Sequence, residues 1–391
     1  MMTRPTDRIL TTHVGSLPRP DSVCEGLYQQ ERDDPAFDLT SFSVLTRQAT
    51  IDAVQRQTKI GIDIVSDGEM SKLSYATYVG RRLAGFSGDS PRRAPADLEA
   101  FPSFLSRLAK AGGTPTYRRP MCTGEIFVSD QGPLRGDLEA MTAAVAIARP
   151  IGAFMNSASP GVIALFQPAL LAGEGGHYRT QDNYLEALSN AMRSEYEAIV
   201  GAGFVLQIDS PDLGLGRHMM FKGLDDAAYV RACEGHLEAL NAALDNLPRS
   251  QVRMHVCWGN YEGPHHCDAP FDLVFGLARR ARVGAILFEA ANPRHAHEWT
   301  WFETNKLDDE LVIVPGVIDS TTNFIEHPEL VAQRIERFAS LVGRERVIAG
   351  ADCGFGSFAG FGPVDAEIAW AKLRTLVEGA ERASRRLWRA Q

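Results

Sequence analysis

Four residues with metal-binding side chains stand where they could hold one ion. His255 and Cys257 are two residues apart in an apolar run, so on a β-strand their side chains share one face. Glu289 follows the next apolar run, and Cys353 follows the last one. Imidazole and thiolate ligands favour Zn²⁺ over Mg²⁺ or Ca²⁺, and zinc sites are usually tetrahedral. The residue types and their spacing therefore predict one zinc ion held by one nitrogen, two sulfurs and one oxygen.

Two alternatives stay open on these residues alone. A His-x-Cys pair is more often a buried core histidine beside an inert cysteine than a metal site. The second alternative is a local zinc knuckle built from His255, Cys257, either His265 or His266, and Cys267. The knuckle would leave Glu289 and Cys353 without a role.

The elements that must position these side chains alternate between short apolar strands and amphipathic helices. The strands are predicted at 9–14, 62–66, 154–157, 205–208, 252–257, 285–288, 312–317 and 347–351. Eight strands with intervening helices predict an α/β fold, a (β/α)8 TIM barrel, whose chemistry clusters at the carboxyl ends of the strands. A doubly wound sheet would need a glycine-rich phosphate turn after the first strand. Residues 14–20 contain one glycine and two prolines instead.

A polar, proline-rich stretch from about residue 85 to about residue 130 predicts an insertion after the second strand. The run 122–128 within it predicts an accessory hairpin. This insertion is either a surface excursion or a lid over the barrel mouth. We expect residues 1–391 to form one barrel domain that includes it.

Composition restricts the partners. The 391 residues are 45% hydrophobic and 23% charged, with a formal net charge of −9. An acidic chain without a basic block is a poor ligand for nucleic acid or anionic membranes. No apolar run approaches the roughly 20 residues that span a bilayer, and the N-terminus lacks the apolar stretch of a signal peptide. We predict a cytoplasmic protein that binds neither nucleic acid nor membrane; the sequence leaves open whether it forms a homo-oligomer.

Taken together, the strand ends resemble the C-terminal barrel of cobalamin-independent methionine synthase, a zinc-dependent methyltransferase. The segments that carry the resemblance, in family order, are 12–19 (Thr-His-Val-Gly-Ser-Leu-Pro-Arg), 67–69 (Asp-Gly-Glu), 207–211 (Gln-Ile-Asp-Ser-Pro), 255–257 (His-Val-Cys), Glu289 and 352–354 (Asp-Cys-Gly). The resemblance implies Zn²⁺ as the cofactor, with His255, Cys257, Glu289 and Cys353 as its ligands.

The resemblance also implies contacts to a homocysteine substrate. Gly15 and Ser16 would hold its carboxylate, and Glu69 and Asp209 its ammonium group. Backbone N–H groups suit an anion and carboxylates suit an ammonium, although the same residues are typical of caps and turns. Asp319 keeps the acidic position of a family motif and is predicted to be catalytic. Because zinc deprotonates a bound thiol, we expect a small-molecule thiol and an alkyl donor as partners.

The sequence departs from the family where folate would bind. The run after Glu69 is 70–75 (Met-Ser-Lys-Leu-Ser-Tyr), and Asp319 is followed by Ser320 and Thr321, without the family's histidine. We therefore predict methyl or alkyl transfer to a thiol such as homocysteine, with a donor other than folate polyglutamate.

Two alternative functions remain. One is addition of an epoxide or another electrophile to a thiol, as in the epoxyalkane:coenzyme M transferases, with Arg19, Arg217 or Lys222 binding a sulfonate. The other is a non-catalytic barrel with a structural zinc, which would have four fixed protein ligands.

Overall fold

The computed structural model describes residues 6–91, 94–110 and 118–389. Nine strands lie in these ranges: β1 Ile64–Ser66, β2 Phe86–Ser87, β3 Met121–Cys122, β4 Gly152–Ala158, β5 Val205–Asp209, β6 Val252–His255, β7 Ala285–Phe288, β8 Val312–Ile318 and β9 Gly350–Ala351. The α-helices are α1 Asp21–Glu31, α2 Leu39–Ile60, α3 Ala96–Glu99, α4 Pro102–Lys110, α5 Gly132–Ala148, α6 Pro160–Phe166, α7 Gln181–Gly201, α8 Asp226–Ala243, α9 Phe271–Ala278, α10 Trp301–Thr304, α11 Pro328–Val342 and α12 Ala366–Arg389.

Seven strands form one parallel sheet in the order β1-β4-β5-β6-β7-β8-β9. Residues 9–14 join its two edges: the amide of Thr12 donates to Ala349 at 2.9 Å, and the amide of Ile64 donates to Thr11 at 3.0 Å. The sheet therefore curls into a ring in which this first segment is the eighth member. The predicted α/β barrel is confirmed, and each of the other seven predicted strands lies at or next to an observed one.

Two apolar layers hold the ring. Inward-facing side chains form a small cluster that includes Leu10, Val14, Phe154 and Leu287, and the outward faces pack under the helices. Alternation of side chains along each strand sends successive residues to opposite layers. Arg253 is 1% exposed, and its guanidinium lies 3.5 Å from the centre of the Phe154 ring, so the barrel interior is filled rather than hollow.

Helix boundaries follow local chemistry. Asp38 accepts hydrogen bonds from the amides of Thr40 and Ser41 at the start of α2, and Gly61 ends that helix with a left-handed φ of 98°. None of the described helices is both long enough and apolar enough to serve as a membrane span.

The stretch predicted as an insertion leaves the barrel after β1. Its strands β2 and β3 are antiparallel, so the two ends of the stretch pair with each other. The hairpin expected at 122–128 is interrupted at Gly85, whose carbonyl accepts from the amides of Thr123 and Gly124. Met121–Cys122 pairs on one side of this interruption, and Val128 forms an antiparallel bridge with Leu83 on the other. Residues 92–93 and 111–117 of the predicted insertion lie outside the described residues.

Candidate metal centre

Three of the four predicted metal ligands meet at the carboxyl end of the barrel. His255 ends β6, Cys257 follows two residues later, and Cys353 follows β9. The ligand atoms of these three side chains all lie within 4.8 Å of one another, and the two Sγ atoms are 3.7 Å apart. All three residues are buried. Within residues 6–91, 94–110 and 118–389, no other His, Cys, Asp or Glu trio is this tight.

The donor atoms of this trio fit a zinc ion. Nε2 of His255 is buried and has no hydrogen-bond partner among the described atoms. The hydrogen bond with Cys257 lowers the pKa of Cys353 to about 6 against the effect of burial, with a further contribution from His255. The same hydrogen bond and burial raise the pKa of Cys257, so the two sulfurs share one proton. Against the effect of burial, the neighbouring Asp209 and Cys353 raise the pKa of His255 to about 10, so a bound zinc would displace that proton. Imidazole nitrogen and thiolate sulfur are the donors that zinc prefers.

Glu289, the predicted fourth ligand, lies beside the trio with both oxygens engaged. Oε1 accepts from the amide of Trp258 at 2.9 Å, and Oε2 accepts from the side-chain amide of Asn292 at 2.8 Å. A carboxylate oxygen has two acceptor sites, so each oxygen keeps one for a metal. The charge of Glu289 raises the pKa of Cys257 and opposes the lowering of the pKa of Cys353.

Gly15 and Ser16 form a tight turn against the loop that carries Cys353. Gly15 has φ 140°, and a Cβ there would lie 2.3 Å from Oδ1 of Asn156, so glycine is required. The Ser16 carbonyl accepts from the amide of Phe355 at 2.9 Å. A Cβ on Gly354 would lie 2.0 Å from Oγ of Ser16, so the turn sits directly on the loop that carries the second thiol.

Glu69 is a buried carboxylate on a strained backbone. Its φ is 57°, a left-handed value that non-glycine residues seldom adopt. Burial raises its pKa to about 8, partly offset by the charges of Lys72 and Arg19. Oε2 has no hydrogen-bond partner among the described atoms and lies 3.6 Å from Nη2 of Arg19. The charge of Asp209 also raises this pKa, so the two acidic residues predicted to bind an ammonium are electrostatic neighbours.

Several polar residues of this region were not singled out from the sequence. Nζ of Lys72 is buried and donates to the carbonyl of Asn156 at 3.1 Å. Nδ2 of Asn156 donates to Asp209 at 2.9 Å. Burial raises the pKa of Tyr75 well above its usual value, and the charges of Cys257 and Asp209 add to this effect. Only the departure of the run 70–75 from the family pattern could have drawn attention to Lys72 and Tyr75.

Asp319 lies at the rim, where it orders its own loop. Oδ1 accepts from both the amide and the hydroxyl of Thr321 at 2.8 Å, and Oδ2 accepts from the hydroxyl of Thr322 at 2.5 Å. The next residue, Ser320, donates to Asn260 at 3.0 Å. The hydrogen bond between Ser320 and Asn260 joins the loop after β8 to the loop after β6.

The residues of the zinc-knuckle alternative are not brought to one point. Nδ1 of His265 lies 3.2 Å from Asp268, and Nε2 lies 3.0 Å from the carbonyl of Tyr261. A second buried cluster forms instead, in which Asp268 also lies 3.3 Å from Nε2 of His295 and 3.8 Å from Nε2 of His218. Among the described residues, no three ligand atoms of this cluster lie close enough together to hold one metal ion.

The three cations considered for a sulfonate differ in position. Arg19 is buried beside Glu69, and its Nη2 has no hydrogen-bond partner among the described atoms. Arg217 and Lys222 lie near the surface, where each pairs with a carboxylate, at 2.8 Å and 2.7 Å respectively. Arg19 is therefore the cation of the three that adjoins the candidate site.

Comparison with known proteins agrees with the family resemblance seen in the sequence. A family described as "Cobalamin-independent synthase, Catalytic domain" matches residues 9–381. A methionine synthase of Thermococcus kodakarensis is 25% identical over 381 residues, covering 97% of this chain and 94% of that protein. A 2-hydroxypropyl-CoM lyase of Xanthobacter autotrophicus is 25% identical over 417 aligned positions, covering 95% and 94%. The structure of a B12-independent methionine synthase from Shewanella sp. W3-18-1 has the same fold, with a TM-score of 0.70, 17% identity, and coverage of 97% and 99%.

Proposed function

Because the chain belongs to the family of cobalamin-independent synthase catalytic domains, we propose that it is a zinc-dependent enzyme that transfers a methyl or other alkyl group to a thiol such as homocysteine. One observation supports this most directly. A nitrogen and two sulfurs from His255, Cys257 and Cys353 converge within 4.8 Å at the barrel mouth. The same end of the barrel holds the two acidic residues predicted to bind an ammonium group.

The reaction would form one bond and break another. Zinc held by His255, Cys257, Cys353 and Glu289 would lower the pKa of the substrate thiol, so that its proton passes to solvent and the sulfur stays a thiolate. The sulfur would gain an S–C bond as the bond between that carbon and the donor breaks, and the leaving group would take the electron pair. Proximity of the two reactants supplies much of the acceleration in such a transfer.

The remaining residues would orient the thiol. Gly15 and Ser16 offer a backbone turn and a hydroxyl to a carboxylate, and Glu69 and Asp209 offer charge to an ammonium. Asp319 would keep the rim loop in place for the donor. We also propose that residues 1–391 act as one barrel domain, with the stretch from about 85 to about 130 as its insertion.

The direct test is zinc X-ray absorption with and without thiol. We expect one zinc per chain bound to two sulfurs, and three sulfurs after addition of homocysteine. Cys353→Ser should lose both zinc and thiol alkylation. A sulfur count that neither homocysteine nor coenzyme M changes would indicate a closed structural site and overturn the proposal.

Epoxide opening by a sulfonate-bearing thiol is the second candidate. It is favoured by the likeness to the 2-hydroxypropyl-CoM lyase and by the buried Nη2 of Arg19, which lacks a hydrogen-bond partner among the described atoms. Thiol consumption should be measured with epoxypropane, using homocysteine and coenzyme M in parallel. Faster consumption of coenzyme M would favour this candidate, and faster consumption of homocysteine would favour the first.

A further inference from the structure

The side-chain amide of Asn292 bridges two carboxylates at the ends of different strands. Nδ2 donates to Oε2 of Glu289 at 2.8 Å and to Oδ2 of Asp352 at 3.0 Å. An amide nitrogen carries two hydrogens, so both are used. Glu289 follows β7, and Asp352 follows β9 and precedes Cys353. One neutral side chain therefore links the predicted oxygen ligand to the loop that carries a thiol ligand.

Asn292 is itself held in place by Asp352. Oδ1 of Asp352 accepts from the amides of Ala290 and Ala291 at 2.8 Å, and Oδ2 accepts from the amide of Asn292 at 2.8 Å. Asp352 is 2% exposed, and a Cβ on Gly316 would lie 2.0 Å from its Oδ1. Since the carboxylate is enclosed, the turn that wraps around it has little freedom to move.

Each oxygen of Glu289 thus accepts from one neutral donor, and Nε2 of His295 also lies 3.9 Å from Oε2. The amide of Trp258 holds Oε1, and Asn292 holds Oε2. These two hydrogen bonds would satisfy the buried carboxylate of Glu289 whether or not an ion is bound, so it would not be left without partners. A buried charged group that loses its hydrogen-bond partner costs the full free energy of desolvation.

We infer that Asn292 is a positioning residue for Glu289, which it orients toward an ion held by His255, Cys257 and Cys353. The inference rests on the proposed function in that an ion must bind at these residues. Asn292 would set the direction in which Glu289 presents its remaining lone pairs to the ion. Partners that orient metal ligands in this way commonly change metal affinity by about 10- to 100-fold.

The first test is the zinc dissociation constant of Asn292→Asp, measured by competition with a chelator. This substitution keeps the shape of the side chain but replaces the donor by a third carboxylate facing Glu289 and Asp352. We expect zinc affinity to fall at least about 10-fold. Asn305→Asp is the matched control, because Asn305 is also half-buried in the β7–β8 connection and donates to the carbonyl of Trp301 at 2.9 Å. It should bind zinc like the wild type.

The second test separates an action through Glu289 from a general structural role. Asn292→Ala should weaken zinc binding and shift the d–d absorption of the cobalt-substituted protein, while thiolate-to-cobalt charge-transfer bands remain. In a Glu289→Ala background the same substitution should have no further effect on zinc affinity.

The inference would be overturned if folded Asn292→Asp and Asn292→Ala proteins kept the zinc affinity and the cobalt spectrum of the wild type. It would also be overturned if the losses of zinc affinity from Asn292→Ala and Glu289→Ala were additive. Failure of the proposed function appears elsewhere, as a wild-type protein that binds no zinc or whose zinc takes up no thiol.

Discussion

Asp209 lies on the Nδ1 side of the His255 ring, 3.5 Å from that nitrogen, and leaves Nε2 without a hydrogen-bond partner among the described atoms. Asp209 is itself held by Asn156 at 2.9 Å and by Gln207 at 2.8 Å. A carboxylate beside one imidazole nitrogen favours the tautomer whose other nitrogen can bind a metal. The residue predicted as an ammonium contact therefore has a second role available, as the partner that orients a metal ligand.

Asp209→Asn should weaken zinc binding by about 10- to 100-fold, because the carboxylate that orients His255 is lost. Chelator competition measures this change. Asp212→Asn is the matched control, since Asp212 is a buried carboxylate in the following turn that lies 2.9 Å from Nδ1 of His236. The control should keep the zinc affinity of the wild type. Equal zinc affinities in Asp209→Asn and wild-type proteins would contradict this role.

The pH dependence of homocysteine binding should reflect the ionisation of Glu69. Burial raises the pKa of Glu69 to about 8, so the group is mostly protonated at pH 7 and ionises as the pH rises. An ammonium binds to the ionised form, and the dissociation constant of homocysteine should therefore fall between about pH 7 and about pH 8.5.

The comparison thiol for this test is 4-mercaptobutyrate, which lacks the amino group. Thiol ionisation affects both ligands, so the ratio of their dissociation constants isolates the ammonium contact. Glu69→Gln should show a ratio that does not change with pH. A wild-type ratio that is equally flat would exclude Glu69 as the ammonium partner.

The barrel could be predicted from sequence because its signals are local. Each strand is a short apolar run with a turn residue after it, and the two-residue spacing of His255 and Cys257 fixes their common face. The parallel order of the strands then places Cys353 near the first segment of the ring. The structure brings these three side chains together, as that argument predicts.

The supporting hydrogen bonds could not be predicted in the same way. Asn292 and Asp352 are 60 residues apart in sequence, and Asn156 and Asp209 are 53 residues apart. An asparagine in a loop carries no periodic or compositional signal, and its usual role is to form a turn. Its partners are decided by which strand ends become neighbours and by side-chain direction, which a single sequence does not specify.

The pH dependence of the unfolding free energy should reflect the protonation of His13. Its neutral ring is fully paired: Nδ1 accepts from the amide of Gly15 at 3.2 Å, and Nε2 donates to Gln57 at 2.7 Å. Burial and the charge of Arg253 together lower the pKa of His13 to about 4. Between about pH 6.5 and about pH 4 the unfolded chain binds the proton and the folded protein does not. His13 therefore destabilises the fold as pH falls, by up to about 1.4 kcal/mol per pH unit.

Urea unfolding at a series of pH values between neutral and mildly acidic conditions measures this effect. His13→Gln should show a shallower loss of unfolding free energy across that range, whatever its stability at neutral pH. The control is His266→Gln, which removes a solvent-exposed imidazole and should keep the wild-type slope. Identical slopes in His13→Gln and wild-type proteins would show that His13 does not resist protonation.

Asp97 should anchor the stretch between β1 and β4 to the loops of the barrel mouth. Its side chain is fully buried and accepts from the hydroxyl of Tyr261 at 2.7 Å and from the amide of His265 at 3.0 Å, with Nδ1 of His218 at 3.5 Å. Asp97→Ala would leave these groups buried without their acceptor, so the free energy of unfolding should fall by about 3 kcal/mol. Urea unfolding measures this loss, and protease cleavage within residues 94–110 should accelerate.

The matched control for the anchor is Glu125→Ala, which removes an exposed carboxylate from the same stretch. An exposed carboxylate loses little hydration on folding, so its removal should change neither the unfolding free energy nor the rate of cleavage. If Asp97→Ala matches Glu125→Ala in both measurements, the stretch is held by its other contacts, and Asp97 is not its anchor.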